Sequence, residues 1–155
     1  MFIRKLLALM ITIALVGLAG GLLAQDSPSK IGTSDYDRAN GYNSGANIDR
    51  NLNGVVMALW ATGTAHSFSV LWSTYDETFS LWSTPAVLME GVDDCRTTKL
   101  MADDAGNFHA AFMVNDLTYY AKYNGTSWST PVLVQKDSLS SKVASLLVDS
   151  NGYIW

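Results

Sequence analysis

Glu90, Asp93 and Asp94 put three carboxylates within five residues, and Arg96 follows two positions later. Carboxylates grouped in this way can ligate a hard cation through oxygen or share a proton as acid and base. The run lacks the alternating ligand spacing of a calcium loop, so no metal site is expected from it. Arg50, His66 and Asp116, each in or beside a turn, are the further candidates. Arg50, His66, Glu90, Asp93, Asp94, Arg96 and Asp116 together form the candidate ligand-binding set, set against the plainer reading that each is a solvated surface charge. His66 and His109 lack Cys or carboxylate neighbours at zinc-ligand spacing. There is no Gly-x-Ser-x-Gly elbow, phosphate-binding loop or dinucleotide fingerprint. The expectation is therefore no catalytic residue, no metal and no cofactor.

The elements that would position these residues repeat. Trp82-Ser83-Thr84-Pro85 returns as Trp128-Ser129-Thr130-Pro131 after 46 residues, and Asp103-Asp104-Ala105-Gly106 returns as Asp149-Ser150-Asn151-Gly152 at the same interval. From each of these Trp residues to the next such Gly is 24 residues in both copies. A period of this length with strand-like content is that of a propeller blade. Ile48, Leu100 and Leu146 stand six residues before Gly54, Gly106 and Gly152 and mark a short first strand. The Asn- and Asp-rich run between is turn chemistry, with a polar side chain bonding nearby backbone and Gly taking a positive φ.

After each glycine come apolar residues at even spacing, Val56, Ala58 and Trp60 in the first copy, Phe108, Ala110 and Phe112 in the second, and Ile154 in the third. That period of two predicts a second strand. These even positions, Val56, Trp60, Phe108 and Phe112 among them, are expected on the faces between blades, which two blades alone would leave exposed and prone to associate. A third strand is expected at 68–72 and 118–123. The fourth carries Pro85 or Pro131, which removes a ladder donor and suits an outer edge. Between landmarks the first copy is six residues longer, assigned to loops at 61–67 and 73–80. The expected fold is all-β: a partial β-propeller with about two four-stranded antiparallel blades over residues 46–155 and the start of a third. It reads as truncated at the C-terminus, because residues 152–155 stop where earlier copies continue through a strand.

Residues 1–24 have the build of an export signal, with Arg4 and Lys5 before an apolar body and small residues up to Ala24. Residues 25–45 form a polar lead-in rich in Ser, Gly, Asn and Asp. Without residues 1–24, eight Lys and Arg face fourteen Asp and Glu, a formal net charge of −6. That excess argues against nucleic acid or anionic lipid as partner, and the expected location is secreted or periplasmic, off the membrane once the signal is cleaved. Cys95 is the only cysteine, so no internal disulfide is possible, and burial as a small apolar group is its expected state.

The turn Tyr123-Asn124-Gly125-Thr126-Ser127-Trp128 resembles the Asp-box of sialidase-like propellers, Ser-x-Asp-x-Gly-x-Thr-Trp, with Gly125 and Trp128 matched and Ser127 in place of Thr. Tyr123 stands at the Asp position and Ala121 at the first Ser, and in the earlier copy Phe79 replaces the Gly. The resemblance implies blade architecture over roughly residues 46–155. In that family catalysis uses three clamping arginines, a tyrosine with a glutamate partner, and an aspartate acid. Here the mature arginines are Arg38, Arg50 and Arg96, and the family's opening Arg-Ile-Pro signature is missing. The expected function is a ligand-binding module for a glycan or an extracellular protein. The alternatives are the N-terminal part of a sialidase-like glycoside hydrolase and a cell-surface spacer. Trp72, Tyr119, Tyr120 and Tyr123 either stack on sugar rings or fill the space between blades.

Overall fold

The computed structural model describes Ile31 and residues 47–64, 66–134, 146–149 and 151–155, apart from the side chains of Val92 and Arg96. The expected signal segment, and all of the lead-in except Ile31, lie outside the described residues.

Three superimposable turns organise the described chain. In each, an Asn or Asp side chain accepts two backbone N–H groups through Oδ1: Asn51 from Asn53 and Val55, Asp103 from Ala105 and Asn107, and Asp149 from Asn151 and Tyr153, at 2.7–3.1 Å. The backbone closes each turn identically, with Gly54, Gly106 and Gly152 donating to the carbonyls of Asn51, Asp103 and Asp149. The three glycines hold φ of 82°, 86° and 78°. An L side chain enters that region at a cost of about 1–3 kcal/mol.

The turns also meet one another. Asn51 Nδ2 donates to the Gly106 carbonyl at 2.6 Å, and a Cβ added to Gly106 would lie 2.5 Å from Asn53 Nδ2. A Cβ on Gly54 meets nothing. Gly106→Ala should accordingly lower the denaturant midpoint more than Gly54→Ala, the shared backbone strain being about 1–3 kcal/mol and the contact with Asn53 coming on top. Equal losses in the two variants would show that the turns do not press on each other.

Among the described residues there are nine strands, β1 (Ile48–Arg50), β2 (Val56–Thr64), β3 (Ser67–Asp76), β4 (Leu81–Trp82), β5 (Ala86–Val92), β6 (Cys95–Ala102), β7 (Phe108–Val114), β8 (Leu117–Tyr123) and β9 (Val132–Leu133). All pairs are antiparallel. One sheet runs β1-β2-β3-β4 with β5 also on β3, and the other runs β6-β7-β8-β9. In the first sheet the expected fourth strand is split into β4 and β5 around Ser83-Thr84-Pro85, where proline cannot donate. The second sheet has the same break, Trp128 bridging Tyr123 before Pro131 and β9 following it. At 147–155 the third copy begins with the same turn and a Val148–Ile154 bridge. Among the described residues the chain is all-β, an open propeller-like stack of antiparallel sheets.

The extra length of the first copy falls differently from the expectation. Thr64 pairs with Ser67 and Val114 with Leu117, so both hairpins turn through two residues. The β2–β3 ladder is instead nine pairs long against seven in β7–β8, which absorbs four of the six residues in strand. The other two lengthen the turn between Asp76 and Leu81.

The packing faces also need correction. Met57, Leu59 and Ala61 of β2, with Phe68 and Val70 of β3, form one buried cluster with Leu100, Phe108, Ala110, Phe112 and Val114. Phe108 and Phe112 are thus 0% exposed, at the contact between the sheets. Val56, Ala58 and Trp60 occupy the opposite face of β2, where Trp60 and Ala58 are also buried and Val56 is half-buried. By register Val56 corresponds to Phe108, so the sheets meet through unlike faces. Cys95 is buried in this core, and burial, helped by the Asp94 charge, pushes its thiol up to about 12.

Candidate functional site

Most of the sequence-derived candidates gather at one end of the strands. The β5–β6 connection and the Asn115–Asp116 hairpin are tied there: the Asn115 N–H donates to the Asp94 carbonyl and the Asp94 N–H to Asn115 Oδ1, both at 3.0 Å. Both hairpin residues have positive φ, 51° and 61°, as a two-residue hairpin on the right-handed twist requires. Asp93, Asp94 and Asp116 therefore share this end with His66, at the tip of the β2–β3 hairpin, and Glu90, on β5 beside Ser69. His66, Glu90 and Asp93 are exposed, whereas Asp94 and Asp116 are half-buried. Arg96 lies on β6 with its side chain outside the described set.

Arg50 does not join them. It ends β1 opposite Val56, at the far end of the strands, where its guanidinium pairs with Glu77 and Nε donates to the Gly54 carbonyl at 3.3 Å. Both side chains of the pair are more than half exposed, a setting in which an ion pair contributes about 0–1 kcal/mol. Arg50 is thus a turn-paired surface arginine, in line with the plainer reading of the candidate set. Among the described residues no three His, Cys, Asp or Glu side chains converge to hold a metal ion.

Two arrangements went unread in the sequence. The first is an open groove of about 700 Å³ at the Arg50 end, lined by Tyr75, Phe79, Leu81 and Trp82 with Asp76 and Glu77 among its polar groups. Trp82 leans on Tyr75 with ring centroids 5.3 Å apart and planes at 54°, and Trp128 on Tyr123 at 5.5 Å and 54°. The two tryptophans hold equivalent places, as the repeat predicts, yet their surroundings differ. Trp128 packs on Trp72 of the first sheet, whereas Trp82 borders the groove beside exposed Phe79 and Leu81. Asp76 shapes this rim by accepting the N–H groups of Thr78 and Phe79 at 2.8 and 3.2 Å, as Asn124 does for Thr126 and Ser127.

The second is a hydrogen-bonded array on the outer face of the second sheet. Asp103 Oδ2 meets His109 Nε2 at 3.0 Å, and His109 Nδ1 meets the Tyr120 hydroxyl at 2.7 Å. Asn107 Nδ2 donates to the same carboxylate oxygen at 2.7 Å, and Lys122 Nζ lies 3.8 Å from it. His109 is 1% exposed. Burial works to raise the Asp103 carboxyl, but the hydrogen bonds from Asn107 and His109 outweigh it and hold the group well below the usual carboxylate range. Tyr120 is raised by burial and by the Asp103 charge. The sequence signal was present in Asp103 and His109 flanking one turn, but Tyr120 joins them only because β8 pairs with β7.

Neither known protein families nor curated proteins match the sequence. Among solved structures, a crystal structure of the polysaccharide lyase Uly1 aligns with a TM-score of 0.40 and 14% identity, over 52% of this chain and 21% of the lyase. This chain thus spans about a fifth of that protein's length, and so slight a similarity transfers no property from it.

Proposed function

We propose that this chain is an exported ligand-binding module that takes a glycan in the groove beside Trp82. The observation that carries this reading is the pairing, at one open rim, of aromatic side chains with carboxylate and amide groups: half-buried Trp82 and Tyr75 and exposed Phe79 beside Asp76, Glu77 and Asn53. Sugar rings present apolar C–H faces and hydroxyl edges. Aromatic faces take the first, and carboxylates and amides accept or donate to the second. A volume of about 700 Å³ lies within the usual range for ligand clefts. The acidic balance of the chain supports a partner other than nucleic acid or an anionic membrane.

Titration with neutral oligosaccharides, followed by tryptophan fluorescence and calorimetry, tests this. Trp82→Ala should weaken binding by about tenfold or more, close to 1.4 kcal/mol, with little change in the unfolding midpoint. Trp128→Ala should instead lower stability, because its ring belongs to the inter-sheet core. Binding that survives unchanged in Trp82→Ala, or no binding across a broad oligosaccharide set, would remove the groove as a glycan site.

A further inference from the structure

The Asp103–His109–Tyr120 array adjoins a cavity of its own, distinct from the groove. Tyr120 and Ala111 line it with Thr118, Val134, Ile154 and Trp155, in a volume of about 290 Å³. The cavity is therefore built by the outer face of the second sheet and the start of the third copy. We propose that Tyr120 is a base-assisted nucleophile at this cavity, with His109 as its general base and Asp103 as the positioning group, and that the substrate is a small uncharged ester.

The geometry carries the roles. Asp103 is an ionised acceptor fixed by its turn, so the hydrogen of the imidazole sits on Nε2 and points at it. Nδ1 is left as an acceptor, and the Tyr120 hydroxyl donates to it at 2.7 Å. A nucleophile bonded to a base, and that base oriented by a third group, is the general plan of an activated hydroxyl. The raised Tyr120 agrees with a phenol that keeps its proton at rest and loses it only during attack. Among the described residues, none that lines the cavity carries a charged side chain, and the volume is at the small end for ligand pockets, which fits a compact, uncharged molecule.

The step balances without a further reactant. The Tyr120 oxygen attacks the ester carbonyl carbon while its proton passes to His109 Nδ1, and the imidazolium formed is held by Asp103. The ester C–O bond then breaks, and the leaving oxygen takes the proton back from Nδ1. The acyl group stays on the Tyr120 oxygen until water, giving a proton to the same nitrogen, attacks its carbonyl carbon; the bond to the Tyr120 oxygen then breaks, that oxygen takes the proton back from Nδ1, and the carboxylic acid leaves.

The test treats the full chain with 4-nitrophenyl acetate, quenches in acid, and maps acetylated tyrosines by peptide mass. Tyr120 should acquire the acetyl group at least about tenfold faster than Tyr75, whose ring leans on Trp82 and not on a histidine. In His109→Gln, which keeps a hydrogen-bonding side chain, Tyr120 should fall to the rate of Tyr75 while Tyr75 is unchanged. Should that variant lose its cooperative unfolding transition, Asp103→Asn decides, since it keeps a side-chain oxygen for the turn N–H groups but removes the carboxylate that orients His109. Tyr120 acetylation should then fall toward the rate of Tyr75. An unchanged Tyr120 rate in that variant overturns the assignment. So does a Tyr120 that reacts no faster than Tyr75 in the wild type, or at an undiminished rate in a folded His109→Gln.

Discussion

Replacing Phe112 with Ala is expected to lower the unfolding free energy by about 3–5 kcal/mol, the usual cost of emptying a fully buried aromatic site. Phe112 is completely buried and stacks on Tyr119, ring centroids 6.2 Å apart and planes at 12°. It belongs to the face of β7 that receives Met57, Leu59 and Ala61 from the neighbouring sheet. The walls of such a site are two hydrogen-bonded sheets, which cannot collapse inward as a loop would, so the upper part of the range is expected. Denaturant unfolding followed by tryptophan fluorescence measures it. A loss below about 1 kcal/mol would mean that the two sheets are not held by this face.

The second large effect is expected at Asp103. Asp103→Ala removes the acceptor of two backbone N–H groups in the turn and leaves the buried His109 Nε2 without its partner. An orphaned buried polar group costs about 1–3 kcal/mol and a lost capping interaction about 1, so a loss of roughly 3 kcal/mol is expected. Acidity supplies the independent check. The folded carboxyl is depressed below its unfolded value of about 3.9. Its contribution is therefore fully present above that value and is lost as pH falls through it toward the folded one. Wild-type stability should fall more steeply below about pH 4 than that of Asp103→Asn. Parallel pH profiles for the two proteins would show that the carboxylate is not specially held when folded.

The parts of this fold that were legible in the sequence are those fixed by residues close together in the chain. Asp103 and Gly106 specify a turn within four residues, and the 46-residue echo in Asp149 and Gly152 locates the next one. Pro85 and Pro131 mark the breaks in the outer strands for an equally local reason, the missing N–H. The direction in which β2 faces was not legible, because Val55 to Ala61 is an unbroken apolar run and a period of two selects no face from it. Both faces of that strand are covered, and only the pairing of whole sheets decides which one meets Phe112. The groove escaped for a related reason. Trp82 and Tyr75 are seven residues apart and meet across a turn shaped by the Asp76 side chain, and neither spacing nor residue type marks Trp82 for a groove and Trp128 for packing on Trp72.

That the sheets meet through unlike faces bears on how such a chain can lengthen. Had like faces met, two sheets would form a closed pair, and a third would find no matching surface. Here each copy carries both halves of the contact, donor face and acceptor face, on opposite sides of the same strands. A tandem duplication of one period would bring its own interfaces with it and would need no compensating substitution in its neighbours. Length in this architecture is thus adjustable in whole steps by unequal recombination, provided each new copy keeps the turn glycines, the Trp-Ser-Thr-Pro corners and the apolar residues of both contact faces.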